Sequence, residues 1–203
     1  MKLFALAMFA IAAMSAATPG SDDIESLVER DDSDVGSELI PGKGLPSLES
    51  LGLTTADLED PDFAFKHGLE DDDEELEAYE AQFDTFTTAA SARFPNQCRP
   101  RYFVPTPLRG IRSCRNYLRK LGNTMCRLGG ELPGVPGTAQ TTFCHHGIAH
   151  IYGHGKPRTA SYCKHVARGV TWGLKNCVKN KKVASLAAAY GNGDLQVAAQ
   201  KWN

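Results

Sequence analysis

The sequence is short of several things, and each shortage closes off a class of function. After the apolar run Leu3 to Met14 there is no second stretch approaching the roughly 20 apolar residues that a membrane-spanning helix needs, so no stable transmembrane association is expected. No Asn-x-Ser/Thr acceptor occurs, which removes N-glycosylation from consideration. No Cys-x-x-Cys pair is present, and with it goes the usual spacing of a structural zinc site. Gly-x-Ser-x-Gly, phosphate-cradling Gly-Lys-Ser/Thr and His-Glu-x-x-His are all missing, so most common hydrolase, nucleotide-binding and metalloprotease chemistries lose support and no cofactor is expected. Carboxylates nearly vanish from the C-terminal half: between Phe94 and Asn203 there are only Glu131 and Asp194.

What is present divides the chain sharply. Lys2, the apolar run and the small residues Ser15-Ala16-Ala17 predict a secretory signal peptide over 1–17 and hence an extracellular destination. Thr18 to Arg93 carries 22 acidic and 4 basic residues, a net of −18, whereas Phe94 to Asn203 carries 17 basic and 2 acidic residues, a net of +15. The acidic segment, rich in Ser, Asp, Glu, Gly and Pro without a sustained apolar period, is expected to be largely disordered. Leu76, Tyr79, Phe83 and Phe86 within it have spacings that suit one short amphipathic helix. Opposite charges of similar size fit a pro-segment, 18–93, that covers a basic domain, 94–203, until cleavage near Arg93.

All six cysteines, Cys98, Cys114, Cys126, Cys144, Cys163 and Cys177, lie in the basic half. An even count in a short secreted segment predicts three disulfides, while the pairing stays open. Ile111, Cys114, Leu118, Leu121 and Met125 recur at helical spacing and predict a basic amphipathic helix from Arg109 to about Gly122. Tyr162, Val166, Val170, Leu174 and Cys177 predict a second helix, over 160–180, with Ser161 as a cap. Arg101 to Val104 and Thr141 to Tyr152 read as strands, and Gly191-Asn192-Gly193-Asp194 reads as the turn of a closing hairpin. The order predicts an α+β fold: a small disulfide-stapled α/β sandwich, with two helices on an antiparallel or mixed sheet.

Two sets of residues could carry function. Read as one strand, 141–152 and its extension place His146, His150 and His154 on one face, where they could bind zinc or copper. His146 or His150 with Glu131 could instead do acid and base work in a ribotoxin-like nuclease. Asp194 is taken up by its turn, which leaves the imidazoles short of carboxylate partners. The second set is cationic: Arg112, Arg115, Arg119, Lys164, Arg168 and Lys175, expected to be exposed on the two helices as contacts for a polyanion.

Phe143-Cys144, Ser161-Tyr162-Cys163, Trp172 before Asn176-Cys177, and the closing Ala188 to Val197 together resemble the killer-toxin-like and necrosis-effector-like small secreted proteins of fungi. That resemblance covers roughly residues 98 to 203 and implies a disulfide-held α/β sandwich acting outside the producing cell, on a competing microbe or a host. It transfers no catalytic residue. The reading that follows is a secreted, non-enzymatic effector or antimicrobial protein whose basic domain binds anionic lipid or polysaccharide of a target cell, with RNA as an alternative polyanion.

Overall fold

A computed structural model describes residues 37–69, 95–190 and 192–201. The signal peptide, the helix expected around 76–86 and the cleavage expected at Arg93 lie outside these residues. The described part of the chain is mixed α and β, as the sequence predicts.

Its centre is a six-stranded, wholly antiparallel sheet built from β1 (Leu39–Pro41), β2 (Gln97–Cys98), β5 (Ala139–His146), β6 (Ala149–Gly155), β9 (Ser185–Ala189) and β10 (Asn192–Lys201), in the order β1-β5-β6-β10-β9-β2. Two minor ladders pair β3 (Thr106–Pro107) with β8 (Lys182–Val183), and β4 (Met125–Arg127) with β7 (Ala160–Tyr162). The main helices, α3 (Leu108–Leu121) and α4 (Cys163–Asn176), pack side by side on one face of the sheet. Two short helices, α1 (Thr55–Glu59) and α2 (Phe63–Lys66), precede them.

Alternation along the strands gives the sheet two faces, the helix side well buried and the far side buried in part, at Tyr152, Gln196 and Ala198. Ser185, Ala187 and Ala189 of β9, Leu195, Val197 and Ala199 of β10, and Ala149 and Ile151 of β6 point toward the helices and are buried. Glycines of α4 let that helix come close to the sheet: a Cβ on Gly173 would lie 2.1 Å from Ser185 Oγ, and one on Gly169 3.0 Å from Ala188 O. A bulge between Thr142 and Cys144 inserts Phe143 as an extra residue. Phe143 and Cys144 are therefore both buried, and the parity of every later residue in β5 is reset.

The disulfides join Cys98 to Cys177, Cys114 to Cys144 and Cys126 to Cys163, with Cα separations of 5.0, 5.8 and 5.1 Å. The second ties the middle of α3 to β5. The third ties β4 to the first residue of α4.

Four expectations need correction. First, residues 37–69, within the segment expected to be disordered, are folded onto the basic half. β1 extends the sheet at the β5 edge, and Leu39, Leu48, Leu53, Leu58 and Phe63 are buried in the core. Thr54 and Asp57 form a reciprocal capping box that starts α1, with Thr54 N–H donating to the Asp57 carboxylate at 2.7 Å. Composition pointed the wrong way because five well-placed apolar anchors are enough when another surface supplies the rest of the core. Second, 141–152 is not one strand: Gly147, at φ 55°, and Ile148 make a tight turn between β5 and β6. Third, 101–104 is a turn with a single bridge from Val104 to Lys201, and the pairing strand begins at Thr106. Fourth, α4 begins at Cys163, and Ser161 is no cap: it lies buried in β7, its hydroxyl 3.4 Å from the Tyr190 carbonyl oxygen.

Phe63 anchors residues 37–69 in the core, so truncating it must weaken the packing of that segment. Phe63→Ala is expected to lower the free energy that holds the segment in place by about 3–5 kcal/mol, read from the lowest-urea transition of the full-length chain. An unchanged transition would mean that Phe63 contributes nothing to holding the segment.

Candidate functional site

The histidines do not form the row that a single strand would have given. The turn at Gly147 and the bulge at Phe143 place His146 on the helix side of the sheet, while His145, His150 and His154 lie on the opposite face. His146 is fully buried, with Nε2 2.9 Å from the Ser37 carbonyl oxygen and 3.5 Å from Glu59 Oε1, and among the described residues its Nδ1 has no hydrogen-bond partner. Glu59 is in turn held by the fork of Arg109, whose Nε and Nη2 donate to it at 2.7 and 2.6 Å. The carboxylate beside His146 thus comes from the acidic half of the chain.

Glu131, the acid or base assigned to that role from the sequence, accepts a hydrogen bond from Gly137 N–H within its own loop. That loop leads into Ala139, at the far end of β5 from His146, about 20 Å away along the strand. The acid–base pair expected from His146 or His150 with Glu131 is therefore not assembled. Nor do His146, His150 and His154 converge: among the described residues, no three His, Cys, Asp or Glu side chains are grouped as a metal's ligands would be.

On the far face, His145 and His150 stack with ring centroids 4.7 Å apart and planes within 6°. Burial, and secondarily the neighbouring His145, depress the His150 pKa to about 4. Burial depresses that of His154 as well. Gln200 Nε2 donates to the Tyr152 hydroxyl at 2.6 Å beside them. His145, His150, His154, Tyr152 and Gln200 thus share the far face of the sheet.

The helical cations are also distributed differently from expectation. Arg119 and Arg168 are buried, 5% and 6% exposed, and are not contact residues. Val166 to Thr171 is an unbroken buried run in α4, as is Asn116 to Arg119 in α3, so neither helix has a solvent face at these points. Their long aliphatic stems pack inside the protein instead. Arg112 and Lys175 are exposed, while Arg115 and Lys164 are half-buried. Arg115 donates to Asn116 Oδ1 at 2.9 Å. Arg109, Arg112 and Arg115 line a cleft of about 380 Å³ against Leu58, Glu59 and Asp60, where the acidic segment already supplies counter-charge.

Among the described residues, a concentration of exposed cations lies elsewhere, in two loops that sequence reasoning passed over. The Cys98–Cys177 disulfide brings Arg99-Pro100-Arg101-Tyr102 beside Val178-Lys179-Asn180-Lys181-Lys182. Arg99 Nη2 donates to the Lys179 carbonyl oxygen at 3.4 Å, and Arg99 N–H donates to Ala184 O at 2.9 Å. Lys179 and Lys182 exchange backbone hydrogen bonds of 3.0 and 3.1 Å around Asn180 and Lys181, whose φ values of 53° and 56° are those of a type I′ turn. Tyr102 is 81% exposed and Val178 41%, and the Arg101 guanidinium lies 5.6 Å from the Tyr102 ring centre. Five cations, an exposed aromatic ring and an exposed aliphatic side chain therefore share one end of the molecule, with no carboxylate in either loop. The signal was visible in the sequence as Arg-Pro-Arg-Tyr directly after Cys98 and Lys-Asn-Lys-Lys shortly after Cys177, but only the pairing of those two cysteines joins them.

The depressed histidines predict how stability responds to acid. The unfolded chain protonates His150 near its ordinary 6.5, and the folded chain only near 4, so stability falls as pH drops through that window. The His150 contribution to the slope is at most about 1.4 kcal/mol per pH unit, and His154 acts in the same direction. A series of urea midpoints from pH 7.5 to pH 4 on native protein and His150→Gln should show a flatter profile for the variant. Identical profiles would refute the assignment.

No curated protein and no solved structure was found to match this chain. A family model described as a domain of unknown function (DUF8794) matches residues 96–201, which include α3, α4, all three disulfides and both cationic loops. With just over half of its length so matched, the chain belongs to that family.

Proposed function

We propose that this is a secreted, non-enzymatic effector or antimicrobial protein that binds anionic lipid or polysaccharide on the surface of another cell through its disulfide-tied cationic loops. The carrying observation is the convergence of Arg99, Arg101, Lys179, Lys181 and Lys182 with exposed Tyr102 and Val178 at one end of the molecule. Cations attract an anionic surface over about a Debye length, roughly 10 Å at 0.1 M salt. An amphipathic ring beside them suits the boundary between headgroups and apolar chains.

Backbone strain supports the same location. A non-glycine residue in the left-handed region costs about 1–2 kcal/mol. Of the four such residues described, Arg99, Asn180 and Lys181 lie in these two loops. Strain of this kind gathers at functional sites, where the surrounding structure holds it in place. Here the disulfide and the β3–β8 ladder do the holding.

The apolar leader, the cysteine content and the likeness to killer-toxin-like and necrosis-effector-like proteins favour action outside the producing cell. Among the described residues, no helix is long and apolar enough to cross a membrane, so the reading is of surface attachment through the loops.

Co-sedimentation with vesicles containing anionic phospholipid tests the reading, with neutral vesicles and an acidic polysaccharide resin run in parallel. Native protein should bind anionic vesicles or resin at low salt and release as salt rises. Replacing Arg101, Lys179 and Lys181 together by alanine should weaken vesicle binding by about 3 kcal/mol, roughly a hundredfold. Arg112→Ala should change it little. Equal binding by the triple variant, or binding that ignores salt, would defeat the proposal.

A further inference from the structure

Residues 37–69 are attached to the rest of the protein as a peptide ligand is attached to a receptor. The segment adds a strand to the exposed edge of β5, pairing Leu39 with His146, Ile40 with His145 and Pro41 with Cys144, and continues with Gly42 N–H donating to Phe143 O at 2.8 Å. Gly42 comes so close that a Cβ there would overlap the backbone of Thr142 and Phe143. The segment then drops Leu48, Leu53, Leu58 and Phe63 into the apolar core. Polar groups of α3 fix its register: Tyr117 Oη donates to Pro46 O at 2.7 Å, Asn116 Nδ2 to Leu58 O at 2.9 Å, and Arg109 forks onto Glu59. Strand addition supplies affinity and the alternating anchors supply selectivity, as in other modes of peptide recognition.

Charge matches along the same surface. Residues 37–69 carry six acidic side chains against two lysines, while α3 carries Arg109, Arg112, Arg115, Arg119 and Lys120 and no acid. All three disulfides begin and end between Cys98 and Cys177, so none reaches this segment. The residues that match the family model, 96–201, likewise leave it out.

We propose that the α3 face and β5 edge of the 96–201 domain form a peptide-binding groove whose resident ligand is this chain's own residues 37–69, held non-covalently and separable from a domain that stays folded. The segment covers His146 and engages the basic face of α3 while it is in place. The proposal uses different residues from the cationic loops, so either can fail without the other.

The test keeps the full chain and inserts a specific protease site between residues 69 and 95. After complete cleavage at micromolar concentration and low salt, the two pieces should co-elute in gel filtration. Mild denaturant should then release the 37–69 piece and leave a disulfide-bonded domain that retains its near-ultraviolet circular dichroism. A synthetic 37–69 peptide added back should rebind. The peptide carrying Leu58→Ala should bind more than roughly thirtyfold more weakly, and the native peptide should bind an Arg109→Ala domain roughly fivefold more weakly. Peptide that separates at once on cleavage overturns the proposal. So does a domain that loses its tertiary signal whenever the peptide leaves, since the segment would then be an inseparable part of the core.

Discussion

The covalent tie between Cys114, in the middle of α3, and Cys144, in β5, is the constraint from which the arrangement of this protein follows. It can form only because the bulge at Phe143 turns Cys144 toward the helices, and the same bulge sends His145 outward and His146 inward. With α3 fixed over β5, α4 has one place to lie, beside α3 and over β9 and β10. The face of α3 turned away from α4 meets the β5 edge and becomes the surface on which residues 37–69 settle. The need for such ties is plain from what the sheet presents to the helices: Ala187, Ala189 and Ala199, with Gly153 and Gly155. Small residues permit close packing but bury little apolar area each, and in domains of this size disulfides worth about 2–4 kcal/mol each commonly make up the difference.

Much of this was legible in the sequence, for physical reasons that also mark where legibility stops. Helices α3 and α4 were readable because a helix buried on one side repeats its apolar residues every three or four positions. The β9–β10 hairpin was readable in outline but not in its turn: Asn192 already pairs with Ala189, so Asn192-Gly193-Asp194 opens β10 at a bulge instead of joining the strands. The disulfide count was readable from the number of cysteines. The β5–β6 turn was not, because Gly147-Ile148 lacks the usual turn dipeptides and sits in an otherwise uninterrupted strand-like run. Arg119 and Arg168 were misplaced because charge is a poor guide to exposure on a helix covered from several sides. Residues 37–69 were missed because their elements are three to five residues long, too short for any period to show. Only the capping box at Thr54-Thr55-Ala56-Asp57 hinted at them.

The charge asymmetry that dominates the sequence is only partly a contrast between halves once the chain is folded. Glu59 crosses from the acidic half to neutralise Arg109, and the acidic segment lies along the most basic helix. The cations of α3 are thereby drawn into the protein's internal electrostatics. Those of the Arg99–Tyr102 and Val178–Lys182 loops have no carboxylate within reach along their own segments. A sum over the basic half therefore overstates the charge that an external partner would meet and conceals where it is concentrated.

That concentration is hard to attribute to folding alone. A type I′ turn needs two residues at positive φ, and glycine takes that conformation without penalty, as Gly147 does between β5 and β6. The turn after Cys177 places Asn180 and Lys181 there instead, and the facing loop places Arg99 there. Asparagine tolerates the left-handed region, whereas lysine and arginine gain nothing locally from entering it. Packing does not require the charge of Lys181, which is exposed, and Arg99 is held by its backbone N–H on Ala184 O as well as by its guanidinium on Lys179 O. The strain becomes intelligible if the side chains themselves are what the turn exists to present. A disulfide at the base of both loops then has a second purpose beyond stability, because it fixes the spacing of cations that would otherwise move independently and lose more entropy on meeting an anionic surface.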